Sequence, residues 1–528
     1  MSAAVDAVSA AKLAEILEEY LALHPAAALL EDGRVLFDMR LARYSVTESH
    51  GRCLLQLWSE ERNLIRTVVE IQPRSQCLRV MTRRMGSAKP QALELVPNSD
   101  RRTPTARDSA RRNFQRLLER VLTRAFIGSK VDGLRSAMDL EHSFGPAYIR
   151  GRLLRGTAAE AIIGVSETES SATIDAILTL GILWLDHCRQ KSDARRHFGS
   201  LKVIVPRGSE QTTAERMAWL NHAAADFQLF TLDERNEELA LVDFRDRGNQ
   251  VVRLVHAFSP AAALARCQSG IDTILNLLPA NAKSRIEIRP RSAAEVGLTL
   301  HGLEFARVRH GADAHSFAHQ QQITFGAGAN ETPLTDETAD LCRELCARLF
   351  ASRHRDGVHK DPLFRIQPER WLESEFRAGL GDLLPSLRSD HIYSQVPAFS
   401  SGDRGMLDLL TLDRAGRLVV IELKADEDMH LPLQALDYWI RVRALNADTQ
   451  PTAGSDRPIS AFQREGYFTE AEVSPVPPRL LLAAPALRIH PANLPLLRYL
   501  SPQVDWELIA LSEDWRRELH IVFRKHPA

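Results

Sequence analysis

Residues 405–438 read GMLDLLTLDRAGRLVVIELKADEDMHLPLQALDY. Leu407-Asp408-Leu409-Leu410 is short, apolar and extended, and Asp413-Arg414-Ala415-Gly416 is a turn signal. Leu418-Val419-Val420-Ile421 is a β-rich run consistent with a buried strand. Asp408, Glu422 and Lys424 interrupt this apolar pattern, and a carboxylate in a core strand is costly unless it is paired or holds a metal. The two-residue period of a strand points Glu422 and Lys424 to one face. If the strands pair as a hairpin, Asp408 faces them. Two carboxylates and one ammonium at the end of a sheet suit a hard divalent cation, which takes oxygen ligands and keeps several waters. A structural ion pair explains an isolated Glu-x-Lys as well.

The Asp, the gap to Glu-x-Lys, and the helix carrying Gln434-x-x-x-Tyr438 together resemble the PD-(D/E)xK nuclease superfamily, and its RecB-like branch in the QxxxY motif. Upstream, Pro368-Glu369-Arg370-Trp371-Leu372-Glu373-Ser374 opens an apolar-periodic helix that resembles the acidic helix of NucS-like endonucleases. The resemblance covers about residues 360–525 and departs from the family in having no Pro before Asp408. It implies a restriction-endonuclease-like α/β core and a Mg²⁺- or Mn²⁺-dependent endonuclease acting on DNA. It assigns the metal to Asp408, Glu422, the Leu423 carbonyl and Glu373, and catalysis to Asp408, Glu422, Lys424 and Gln434. Branched, mismatched or single-stranded DNA is the implied substrate, in repair or defence, and a homodimer is compatible with it. The alternative is a non-catalytic nucleic-acid-binding or scaffold protein on a nuclease fold.

At 528 residues the chain exceeds one core. The expected layout is a multidomain α/β protein: an N-terminal α+β domain at 1–145, a middle α/β domain at 146–325, a linker and helix at 326–360, and the nuclease-like domain at 361–528. A net charge of −1 provides no global field toward nucleic acid, so contact must come from local patches. Residues 101–135 supply one, with ten Arg or Lys against three Asp or Glu. Arg112, Arg116 and Arg120 lie on a helical segment whose apolar set faces a core. Together with Arg404 they are the candidate phosphate contacts, against a solvated basic face as the plain alternative. The six cysteines form no CxxC pair, which argues for a reducing compartment and against a zinc site. No leader pattern or membrane-length apolar run is present, and the expected location is cytoplasmic.

Residues 150–250 repeat the element order of 418–524: strand, polar turn, helix, strand, helix, strand, strand. Laying Ile163 on Ile421 puts Gly164 at Glu422 and Ser166 at Lys424, so the middle domain reads as a second nuclease-like fold without the ligands. Residues 326–330, GAGAN, read as a linker, and 451–478 as a long proline-rich loop.

Overall fold

The structure is a computed structural model. It describes residues 9–31, 34–39, 42–49, 51–58, 63–74, 77–83, 90–97, 104–137, 144–192, 196–246, 252–278, 280–312, 319–328, 332–400, 403–452 and 455–527. Two compact units emerge, each built from two separate stretches of chain: Met1–Arg101 with Phe258–Glu375, and Arg102–Ala257 with Phe376–Ala528. The expected boundaries near 145, 325 and 360 do not coincide with this division. The GAGAN stretch lies within the first unit, because the strands on both sides of it, His319–Phe325 and Thr332–Pro333, pair in one sheet.

In the first unit, helix Ala10–Leu23 buries Leu13, Leu17 and Leu21, which recur every four residues and so share one face. That face enters a core with Leu55, Leu57, Leu93 and Leu95 from an antiparallel sheet. Strand Arg52–Trp58 alternates buried and half-buried residues, as a sheet with one covered face requires. A second core joins helices Pro260–Asn276 and Ala339–Ser352 to the strands between residues 286 and 333, with Cys342 and Cys346 buried inside it. Arg353 is fully buried; it donates to the carbonyls of Leu300, His301 and Ile366 and lies over the Trp371 ring at 4.6 Å. These contacts fix the start of helix Pro368–Ala378, which carries Glu373.

The second unit holds two sheets of matching plan. In the first, strands Lys130–Arg135, Tyr148–Arg155 and Ala158–Val165 form an antiparallel meander. Helix Ile177–Gln190 then crosses to His197–Pro206, parallel to Ala158–Val165. Helix Gln211–Met217 leads to a second parallel strand, Asp226–Asp233, and Glu238–Val242 returns antiparallel. In the second sheet, Tyr393–Ser400, Asp403–Leu412 and Leu418–Leu423 form the meander, and helix Leu431–Ala447 crosses to the parallel strand Arg479–Pro485. Helix Asn493–Arg498, parallel strand Asp505–Leu511 and antiparallel Ile521–Lys525 complete it. The repeat read from element order is therefore present in strand order and direction.

One core serves both sheets: Ile163, Leu185, Leu201 and Leu229 belong to the same buried cluster as Val420, Trp439, Leu480 and Leu508. The central strands are mostly apolar because both their faces are covered, with Glu160 and Glu422 as the charged exceptions. Gly416, at φ +79°, closes the turn before Leu418–Leu423, where the Asp413 carboxylate accepts from the Ala415 and Arg417 amides at 2.9 Å each. The expected proline-rich loop is more ordered than its composition suggests. It contains the hairpin Thr449–Thr452 and Ser455–Ser460 and a helical turn capped by Ser460, and it buries Phe462 and Phe468.

Candidate active site

Strands Asp403–Leu412 and Leu418–Leu423 pair with Leu409 opposite Ile421. One step further along this register, Asp408 stands opposite Glu422, and directly opposed residues of a pair share a face. Lys424, the first residue beyond the strand, follows on that face two residues later. Asp408 Oδ2 accepts from the Leu423 amide at 3.0 Å, so the carboxylate takes the place of a ladder partner where the two strands part. In an extended strand the N–H and C=O of one residue point to the same edge, which puts the Leu423 carbonyl on the Asp408 side. Glu422 is only 4% exposed.

Gln434 and Tyr438 sit one turn apart on helix Leu431–Ala447, which packs on Leu418–Leu423 and Arg479–Pro485. Burial raises the Tyr438 phenol pKa above its ordinary value, and the negative charges of Glu422 and Asp408 raise it further. Lys424 Nζ is 3.7 Å from Asp428 Oδ2, and Asp428 Oδ1 accepts from the His430 amide at 2.7 Å. Asp428 thus holds the turn between strand and helix while facing the lysine. Burial, with help from Arg216 and His490, lowers the His430 pKa against the opposing pull of Asp428.

Gln395 is a member of the site that sequence reading missed. It lies opposite Asp408 in the Tyr393–Ser400 pairing, and its Nε2 donates to Asp408 Oδ1 at 3.2 Å. Its backbone is left-handed, at φ +55°. For a residue with a Cβ this costs about 1–3 kcal/mol, and such strain gathers where surrounding structure holds a side chain to a task.

Glu373 has other partners. It belongs to the first unit, is 1% exposed, and accepts from Arg289 Nη1 at 3.3 Å and Arg370 Nη1 at 2.9 Å. Two guanidinium groups compensate its charge. Arg112 and Arg116 are exposed on helix Pro104–Ala125, whose Phe114, Leu118 and Leu122 pack on the first sheet. Arg120 is also exposed but pairs with Glu237. Arg404 lies in strand Asp403–Leu412, and its side chain is outside the described residues.

The register corrects the expected equivalence between the repeats. Pro206 and Pro485 end the parallel strands that follow the long helices, and counting back pairs Ile204 with Gly164 and Ala483 with Leu423. Ile163, not Gly164, therefore corresponds to Glu422, and Val165, not Ser166, to Lys424. The partner of Ile163 is Arg150, which thus stands where Asp408 does. A one-residue slip moves every side chain to the other face, and of the two alignments this one keeps Ile163 and Val165 on the core face shared with Leu418 and Val420. Arg150 is fully buried, donates to the Ala137 carbonyl at 2.7 Å and lies over Phe144 at 4.3 Å and Trp184 at 5.8 Å. With Ile177 matched to Leu431 at the helix starts, Leu180 and Trp184 replace Gln434 and Tyr438. The first repeat thus carries an arginine and apolar side chains at the five positions.

No family model matches this sequence, and no curated protein does. Among the described residues no group of three or more His, Cys, Asp or Glu forms a metal cluster, and no helix is long and apolar enough to cross a membrane. The candidate set is two carboxylates with one carbonyl. Oxygen donors of this kind fit Mg²⁺ or Mn²⁺, which complete their shell with water.

Proposed function

We propose that the chain is a metal-dependent endonuclease that hydrolyses DNA phosphodiester bonds at Asp408, Glu422 and Lys424. The observation that carries this reading is the Asp408 carboxylate accepting from the Leu423 amide where the two strands part; continuing the Leu409–Ile421 register puts Asp408 across from Glu422, with Lys424 two residues on. The order of meander, helix and parallel strand is similar to the core of the PD-(D/E)xK superfamily and supports the same reading.

Asp408, Glu422 and the Leu423 carbonyl would hold Mg²⁺ or Mn²⁺. Such an ion acidifies a bound water and neutralises a phosphoryl oxygen. Gln395 keeps the Asp408 carboxylate oriented. Lys424 orients the attacking water or offsets the charge that builds on the phosphoryl oxygens. Gln434 would hold the nucleophile or a neighbouring phosphate. The water oxygen bonds to phosphorus, one P–O bond to a deoxyribose breaks, and the departing oxygen gains a proton. DNA is the proposed substrate, and the resemblance implies single-stranded, branched or mismatched forms among those cut. The six free thiols fit a cytoplasmic protein.

The non-catalytic reading draws on the Lys424–Asp428 pair, which would then be purely structural. Incubation with plasmid, single-stranded, flap and mismatched DNA separates the two. Cleavage with Mg²⁺ or Mn²⁺ that stops in EDTA and in Lys424→Ala is expected. Binding without cleavage under every metal condition would leave the non-catalytic protein.

A further inference from the structure

The two repeats of the second unit meet as two copies of one subunit would. Leu220 bridges Leu500 in antiparallel fashion, the Asn221 amide donates to the Tyr499 carbonyl at 2.7 Å, and the Ser501 amide donates to the Trp219 carbonyl at 2.8 Å. Exchanging 219, 220 and 221 with 499, 500 and 501 maps each of these bonds onto the other. The helices obey the same exchange: Leu431–Ala447 packs on Gln211–Met217, and Ile177–Gln190 packs on Asn493–Arg498. So do the rings. Arg443 lies over Trp219 at 4.3 Å, and its counterpart Arg189 lies over Tyr499 at 5.9 Å. This is the self-complementary pattern of a two-fold interface, closed within one chain.

A two-fold enzyme with a site in each half can present one site to each strand of a duplex. Here one half has Asp408, Glu422 and Lys424, and the other has Arg150, Ile163 and Val165 at the same places. Arg150 carries the charge opposite to that of a metal ligand. Gly181 packs closely on Ile163, where a Cβ would fall 3.0 Å from its Cγ2, and Ile163 and Val165 offer no donor to an ion. The surface that would recruit a second catalytic half is already occupied, since Trp219, Leu220, Trp439 and Leu500 are buried.

Resting on the nuclease reading, we propose that the Arg102–Ala257 and Phe376–Ala528 stretches form an internal pseudo-dimer with a single working site, which acts on duplex DNA as one chain and cuts one strand per binding event. One water is consumed and one P–O bond broken per duplex, and the complementary strand stays intact.

The test uses the full chain on supercoiled plasmid with Mg²⁺ or Mn²⁺, with protein in slight molar excess. Open-circular DNA is expected to become the main product before linear DNA appears. Sedimentation of Lys424→Ala with a short duplex is expected to give one chain per duplex. Direct formation of linear DNA, or two chains per duplex, overturns the single-strand proposal while leaving the nuclease reading in place. Absence of cleavage of plasmid, single-stranded and flap DNA with either metal overturns both.

Discussion

Arg216 of the first repeat grips Asp437 of the second with two hydrogen bonds, Nε to Oδ1 at 2.8 Å and Nη2 to Oδ2 at 2.7 Å. The arginine side chain is 8% exposed and the aspartate 20%, so the pair is largely removed from water. Its parallel two-bond geometry fixes helix Gln211–Met217 against helix Leu431–Ala447. Arg216→Ala leaves a carboxylate inside the interface and is expected to destabilise the protein by about 3 kcal/mol. The double variant Arg216→Met with Asp437→Leu is expected to recover most of that loss. Denaturant unfolding of the two single variants and the double variant checks this, and additive losses would show that the pair is not coupled.

The shared core changes what a fragment can do. The site and its ligands all lie within residues 376–528, yet Trp439, Leu436 and Leu500 are buried in a cluster that includes Leu185, Leu201 and Trp219. A fragment of residues 376–528 would expose that surface to water, at about 25 cal/mol for each Å² uncovered. It is expected to aggregate when expressed alone and to become soluble when residues 102–257 are co-expressed. A monomeric, cooperatively melting 376–528 fragment would contradict the common core.

The arginine helix divides into exposed and engaged members. Arg112 and Arg116 face solvent, whereas Arg120 pairs with Glu237 and Arg111 with Glu169. If this face meets phosphates, Arg112→Ala and Arg116→Ala each reduce the salt dependence of DNA affinity by about one counterion. Arg120→Ala is expected to change that slope less. Equal slopes for the parent and the Arg112→Ala, Arg116→Ala double variant would identify a solvated face without ligand.

The sequence carried the element order of both repeats because strand and helix periods differ, and runs such as Leu201–Pro206 and Leu480–Ala483 have few alternatives. It did not carry the facing of Ala161-Ile162-Ile163-Gly164-Val165. A strand covered on both sides lacks the apolar–polar alternation that marks its faces. For that reason the one-residue shift, and with it Arg150 as the counterpart of Asp408, became visible only in the hydrogen-bonded register. Gln395 was hidden for another reason: nothing in its side chain announces a left-handed backbone. The unit boundaries were illegible because each unit is assembled from separated stretches of chain.

Tyr499 gives the interface a pH signature. Its hydroxyl donates to Asp186 Oδ1 at 2.8 Å and accepts from Arg189 Nη1 at 2.8 Å. Burial, followed by Asp186, pushes the phenol up to about 12 from its usual 10. The folded state therefore holds this proton more tightly than the unfolded chain does. The corresponding stability is complete below pH 10 and is lost as pH rises from 10 toward 12. Tyr499→Phe is expected to be less stable at neutral pH and to lose less stability across that alkaline interval. Melting temperatures of the two proteins between pH 9 and pH 12 test the sign.

The site itself is best tested by pairing a substitution with a metal titration. Glu422 is buried, and the continued strand register brings it across from Asp408; like charges held together raise the free energy of the metal-free fold. Glu422→Gln keeps the shape and removes one charge, so it is expected to melt above the parent in EDTA. Binding of Mn²⁺ to the folded parent adds RT ln(1 + [L]/Kd), about 2.7 kcal/mol at a hundred times Kd. Glu422→Gln is expected to lose nearly all of that increment, because one hard oxygen donor has become a weak amide carbonyl. Lys424→Ala is expected to keep it, since an ammonium ligates nothing, and to fail only in cleavage. A structural ion-pair network gives the reverse order: Glu422→Gln and Lys424→Ala both melt below the parent in EDTA, and Mn²⁺ shifts none of the three proteins.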